Sequence, residues 1–357
     1  MPCATPSTRS YGDRVTTAIE TNAQRADEYV GPLLEVDNLY VEFRLRDRTV
    51  NAVNGVTYSL GAGETLAILG ESGSGKSVSA QAIMGILDSP PAYISQGTIR
   101  YRGEDLLGME EETRRKIRGR RIAMIFQDAL SALNPIFTVG DQIGEMFRVH
   151  LGMSKKDSLA RAADLMDRVR IPSAKDRIKD YPHQFSGGMR QRVMIAMALS
   201  LSPDIIIADE PTTALDVTVQ AQIMRLLKDL QEEMKMGLIL ITHDLGVVAD
   251  VADRIEVMYA GRIVEEADVR DIYAHPAHPY TEGLLKSIPR VDMKGQALFT
   301  IKGQPPNLAF IPQGCTFHQR CPRAEAICQG DEPELYQVAM GRRSRCYFWQ
   351  EVLNDHR

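Results

Sequence analysis

Four short apolar runs stand out along the chain, at residues 65–69 (TLAIL), 122–126 (IAMIF), 205–208 (IIIA) and 238–242 (LILIT), each bounded by polar residues. Their length and continuous apolarity are those expected of buried strands. Two earlier runs, at 39–43 and 50–60, carry polar interruptions and also read as β-like, while a helix is predicted over 78–87. Residues 1–32 hold no sustained period, are rich in Ser, Thr, Ala and Arg, and read as a flexible tail. The polar residues just after each apolar run matter most. The first run leads into a glycine-rich loop, the second into Gln127, the third into Asp209 and Glu210, and the fourth into His243. Ligands of open α/β sheets bind outside the carboxyl ends of the strands, so polar residues at four such ends describe one site.

The loop reads Gly70-Glu71-Ser72-Gly73-Ser74-Gly75-Lys76-Ser77 and fits G-x-x-x-x-G-K-[ST] at every fixed position, after a strand and before a helix. Its glycines let backbone N–H groups curl around phosphates, Lys76 reaches the β- and γ-phosphates, Ser77 ligates Mg²⁺, and the helix dipole adds to the field. Asp209 is the second expected Mg²⁺ partner, and Glu210 the group that polarises the attacking water. Two acids at a helix start would otherwise be ordinary, but the phosphate loop gives them a common ligand.

Between these elements lies Phe185-Ser186-Gly187-Gly188-Met189-Arg190-Gln191-Arg192. The chain resembles the ATP-binding subunits of ABC transporters, whose signature is usually written LSGGQ; here Phe185 replaces Leu and Met189 replaces Gln. Gln127, the loop Ala214-Leu215-Asp216 and the switch His243 stand in family order. The resemblance implies a P-loop NTPase of the ABC type, α/β with a helical subdomain. It also implies a head-to-tail pair of nucleotide domains, in which Ser186, Gly187 and Gly188 of one subunit cap the ATP held by the other. His243 would contact the γ-phosphate, Gln127 would sense the metal or water and relay to the membrane subunit, and Phe43 would stack on adenine.

The segment Gln127-Asp128-Ala129-Leu130-Ser131-Ala132-Leu133-Asn134-Pro135, the run His275-Pro276-Ala277-His278-Pro279-Tyr280-Thr281, and Gly303-Gln304-Pro305-Pro306 are similar to the oligopeptide and dipeptide importers. So is the C-terminal stretch with Cys315, Cys321, Cys328 and Cys346, which looks like the extension of the peptide and nickel importer ATPases. The spacing C-x5-C-x6-C-x17-C is not the C-x2-C pair of zinc ribbons. Four thiolates suit zinc or an iron–sulfur cluster, and spacing leaves both open. The resemblance favours [4Fe–4S], with zinc as the alternative, shielded by Phe317, Tyr347, Phe348 and Trp349 or packed with them as a small core. Cys3 lies in the tail as a bystander.

Charge and length refine this picture. Among 357 residues, Lys plus Arg number 42 against 47 Asp plus Glu, a formal charge of −5 that lacks the basic excess of a nucleic-acid binder. The basic segment from Arg114 to Arg121 comes after Glu110, Glu111 and Glu112, four residues N-terminal to Arg114, Arg115 and Lys116, and reads as a self-paired solvated helix. No apolar run has the ~18 residues of a membrane span, and the start lacks a secretory h-region. These features imply a cytoplasmic location, where thiols stay reduced and clustered cysteines favour metal over disulfides.

The expected layout is a tail over 1–32, an ATP-binding domain over 33–288 with a helical subdomain at about 128–190, and a cysteine-rich module over 289–357. The implied partners are a second, related but non-identical ATPase subunit, two permeases and an extracytoplasmic peptide-binding protein, at the cytoplasmic face of the membrane. The rival readings are a nickel or other small-solute importer, and a soluble iron–sulfur ABC ATPase acting on ribosomes or DNA.

Overall fold

The computed structural model describes residues 29–288 and 299–355. Most of the predicted tail, Cys3 included, lies outside the described residues, as does the start of the C-terminal extension. The described chain builds two sheets. One is antiparallel, in the order β2-β1-β4-β5, from β1 (Leu34–Arg44), β2 (Thr49–Leu60), β4 (Ala92–Tyr101) and β5 (Glu104–Asp105). The other has eight strands in the order β11-β12-β10-β9-β3-β8-β7-β6. Its parallel half comprises β3 (Thr65–Leu69), β6 (Ile122–Ile125), β7 (Ile205–Asp209), β8 (Gly237–Thr242) and β9 (Arg254–Tyr259). The antiparallel half adds β10 (Arg262–Asp268), β11 (Tyr336–Ala339) and β12 (Arg342–Ser344).

The apolar runs are continuous because both faces of the parallel sheet are covered. Ala67, Leu69, Ile206, Ala208, Leu238 and Leu240 turn to a core shared with the long helices. Their alternates Leu66, Ile68, Ile205, Ile207, Ile239 and Ile241 turn to a second core with Leu34, Val36, Leu39 and Val53 of the antiparallel sheet. A strand exposed on one side would alternate with polar residues; these have no exposed side.

Three sequence expectations need adjusting. The run at 122–126 stops as a strand at Ile125, and Phe126 is 42% exposed. The helix predicted over 78–87 begins at Lys76, capped by left-handed Gly75, and ends at Met84, where Gly85 is again left-handed. The basic segment is helical only over Glu111–Ile117. Of the three expected pairs, Lys116 meets Glu112 at 3.5 Å, but Glu111 pairs with Arg114 and Arg118. Glu110 precedes the first turn, so its side chain is not in register for a pair four residues on.

Between β6 and β7 the chain forms helices Val139–Leu151 and Lys155–Arg168, begun by Thr138 and Ser154, whose side chains accept from Asp141 N and Asp157 N. The C-terminal extension is built into the main sheet, since β12 pairs with β10 through Glu265 with Ser344 and Glu266 with Arg343. Phe317 packs on Tyr259 and Tyr280 with ring centroids 5.3 Å away, so the cysteine-bearing loop lies directly on the parallel strands.

Candidate nucleotide site

Strands β3, β8, β7 and β6 are neighbours in that order and run parallel. Their carboxyl ends therefore bring residues 70–77, His243, Asp209 with Glu210, and Gln127 to one contiguous edge. The loop leaves β3 and enters the helix Lys76–Met84 through Gly75 at φ 102°, where a Cβ would stand 2.2 Å from the Ala52 carbonyl oxygen. Only glycine fits there. Gly73, at φ 79°, has open space on the side where a Cβ would project.

Lys76 is 4% exposed, and its Nζ donates to the carbonyls of Gly70 (2.8 Å) and Glu71 (3.0 Å) and to Ser74 Oγ (3.4 Å). Burial pulls its pKa below the ordinary lysine value, opposed by the charges of Glu210, Asp209 and Glu71. Ser77 Oγ donates to Asp209 Oδ1 at 2.9 Å. Burial pushes the Asp209 carboxyl up; the Ser77 hydroxyl works against that rise and Glu210 adds to it. An ammonium suited to phosphate oxygens thus stands beside a hydroxyl and a buried carboxylate, which are oxygen ligands of the kind a phosphate-bound divalent cation takes.

Glu210 is the centre of the second half of this edge. Its carboxylate accepts from Gln127 Nε2 and from Thr213 Oγ1, both at 2.9 Å, and lies 3.3 Å from His243 Nδ1. The backbone there is left-handed at φ 45°, with Glu210 N donating to the Ile241 carbonyl of β8. Nothing in the sequence singles out Thr213, because its spacing does not set it apart from Thr212.

Ser186 caps the helix Gly187–Leu199 and accepts from Met189 N, while Phe185 is buried with the Arg177 guanidinium 4.5 Å above its ring. Phe185 thus anchors the signature in the core. Asp216 caps the helix Val217–Met234, accepting from Val219 N at 3.0 Å. Gly188 abuts the same helix, where a Cβ would approach Val219 Cγ1 to 2.5 Å. Among the described residues, no hydrogen bond or ion pair joins Ser186, Gly187 or Gly188 to residues 70–77. Phe43 lies near the end of β1, opposite Val50 and Ala92, packed against the antiparallel core.

The four clustered cysteines carry free thiols and line one small cavity together with His278, Phe317, Tyr347 and Phe348. Among the described residues no group of three or more His, Cys, Asp or Glu side chains is arranged to hold a metal ion. Burial raises the Cys315 thiol to about 11 and the Cys346 thiol to about 12, and raises Cys321 as well. Trp349 is not among the lining residues; it starts the short helix Trp349–Asn354.

A parallel sheet whose central strand feeds a phosphate loop, with acids, a glutamine and a histidine at the adjacent strand ends, defines an ATP-binding cassette. Residues 53–213 match the ABC transporter family, and residues 264–328 match the oligopeptide/dipeptide transporter C-terminal region. The chain is 48% identical to the oligopeptide transport ATP-binding protein OppD of Salmonella typhimurium over 330 residues, 92% of this chain and 98% of that protein. It is 53% identical to the dipeptide transport ATP-binding protein DppD of Bacillus subtilis over 296 residues, 83% of this chain and 88% of that one. A dimeric ATP-binding cassette solved in a post-hydrolysis state with ADP and Pi superimposes with a TM-score of 0.60 at 28% identity, covering 66% of this chain and 99% of that one. The chain belongs to the ATP-binding subunits of the oligopeptide/dipeptide group of ABC transporters. No helix among the described residues is long and apolar enough to cross a membrane.

Proposed function

We propose that this chain is the ATPase subunit of a di- and oligopeptide importer, working at the cytoplasmic face of the membrane. It would act with a related second ATPase subunit, two permeases and an extracytoplasmic peptide-binding protein. The observation that carries the reading is the contiguous edge of β3, β8, β7 and β6, combined with the C-terminal region typical of peptide transporters. In this reading the N–H groups of residues 70–77 cradle the phosphates of ATP, with Lys76 as counter-charge, and Ser77, Asp209 and Gln127 serve the Mg²⁺ side. Phe43 stacks on the adenine. Glu210 polarises the attacking water, held in place by Gln127 and Thr213, while His243 lies beside it to meet the γ-phosphate. Ser186, Gly187 and Gly188, at a helix start, serve the partner's ATP, and Asp216 orders the loop next to them.

The permease side has a supporting surface. A cleft of about 410 Å³ beside Gln127 is lined by Met84, Met124, Phe126, Leu133, Met194 and Met197. Phe126, Leu130, Ile136 and Phe137 are 42–73% exposed around this region, and exposed apolar groups of this kind mark docking faces. The domain division in this reading is 33–288 for ATP and 289–357 for the extension.

The test of the active site is Glu210→Gln in the assembled transporter. ATP binding is retained, and turnover falls by ~10²-fold or more, the scale on which a positioned general base contributes. Turnover near the wild-type rate would remove Glu210 from the chemistry.

Cys315, Cys321, Cys328 and Cys346 are the donor set for a [4Fe–4S] cluster, or for zinc, that would staple the extension. Four thiols around one cavity are chemically suited to either, and neither has a step in ATP hydrolysis. Anaerobic purification should give brown protein absorbing at about 400 nm. Colourless protein with stoichiometric zinc would replace iron by zinc, and metal-free protein that is fully folded would remove both.

A further inference from the structure

We propose that Arg320, carried on the cysteine-rich loop of the C-terminal extension, is a positioning residue for the ATPase: it holds the phosphate loop in shape through Glu71. Glu71 is the first residue of the loop after Gly70, and its side chain is 28% exposed. Arg320 grips it as a two-pronged fork, with Nη1 donating to Oε2 at 2.6 Å and Nη2 to Oε1 at 3.0 Å. The Arg320 side chain is only 5% exposed and is fixed from every side. Its Nε donates to the Lys302 carbonyl at 3.2 Å and its Nη1 reaches the Tyr259 hydroxyl at 3.3 Å. The guanidinium also lies within 5.8 Å of the Tyr259 ring centroid and 6.0 Å of the Phe317 ring centroid. A guanidinium this constrained sets the place of whatever it binds.

Its partner is the start of the phosphate loop. The Glu71 backbone is used at both ends: its N–H donates to the Tyr280 hydroxyl at 2.9 Å, and its carbonyl accepts from Lys76 Nζ at 3.0 Å and from Ser74 N at 3.2 Å. A shift of Glu71 therefore moves the carbonyl that orients the phosphate lysine. Both outside supports come from beyond the cassette strands. Tyr280 lies on the helix Pro279–Lys286, and Arg320 immediately precedes Cys321, which lines the four-cysteine cavity. The C-terminal extension is thus part of the scaffold of the ATP site, and the order of the cysteine loop is coupled to ATP affinity.

This inference rests on residues 70–77 being the phosphate site. The test measures MgATP affinity of the full chain for wild type, Arg320→Ala, Glu71→Ala and the double variant, with Lys76→Ala alongside. Each single variant should weaken MgATP about ten-fold, as expected for losing one charge-assisted fork. The double variant should be no weaker than either single, because both break the same clamp. Arg320→Lys should recover only part of the loss, since an ammonium cannot form the fork. In the assembled transporter Arg320→Ala should raise the KM for ATP while kcat holds, a split that general destabilisation would not give. Unchanged affinity in Arg320→Ala, or losses that multiply in the double variant, would overturn the proposal. If Arg320→Ala does not fold, Glu71→Gln tests the clamp from the more exposed side, and unchanged affinity there overturns it equally. Lys76→Ala binding MgATP as wild type would instead overturn the phosphate-site reading itself.

Discussion

Around the Glu210 carboxylate, three side chains from three different segments meet within 3.3 Å: Gln127, Thr213 and His243. Glutamine and threonine supply neutral donors, which fix the orientation of the carboxylate. That is the arrangement required of a group that must accept a hydrogen bond from the attacking water, and it is why Glu210→Gln is the informative change at this scale. Gln127, Glu210 and His243 are legible in the sequence because each stands just past an apolar run, so strand geometry delivers them to one edge. Thr213 is not, since it depends on the turn after Glu210. Arg320 is beyond reach for a different reason: its partner Glu71 lies 249 residues away, and no periodicity links them.

The elements repeat this division between local and distant causes. The helix after the phosphate loop starts two residues earlier than its apolar pattern suggests, because left-handed Gly75 turns the chain and exposes the N–H groups of Lys76 and Ser77. Gly75→Ala would drive a methyl group against the Ala52 carbonyl in a backbone region alanine disfavours. The expected cost is ~1–3 kcal/mol of stability, together with loss of the stabilisation that MgATP confers on thermal unfolding. A variant that melts like wild type and is still stabilised by MgATP would contradict this reading of the loop. The signature helix shows the opposite case. Its cap at Ser186 is legible from Ser-Gly-Gly, while the reason for Phe185 is visible only in the fold, where Arg177 covers its ring.

At the scale of the molecule, two cores on opposite faces of one sheet explain why the predictive runs are uniformly apolar. The extension joins that sheet as β12 on β10 and places its cysteines around one cavity beside the aromatic cluster of Tyr259, Tyr280 and Phe317. Sequence spacing locates the cysteines but cannot foresee this docking, which depends on pairing between strands about 80 residues apart. In the proposed function, ATP turnover at the edge of β3, β8, β7 and β6 powers peptide entry through partner permeases. Uptake of labelled di- and oligopeptides, measured beside nickel uptake in a strain lacking this chain, tests that coupling without intermediaries. Peptide uptake should be lost in that strain, restored by the wild-type chain and not restored by Glu210→Gln. Peptide uptake that survives the deletion unchanged, while nickel uptake disappears, would contradict the assignment.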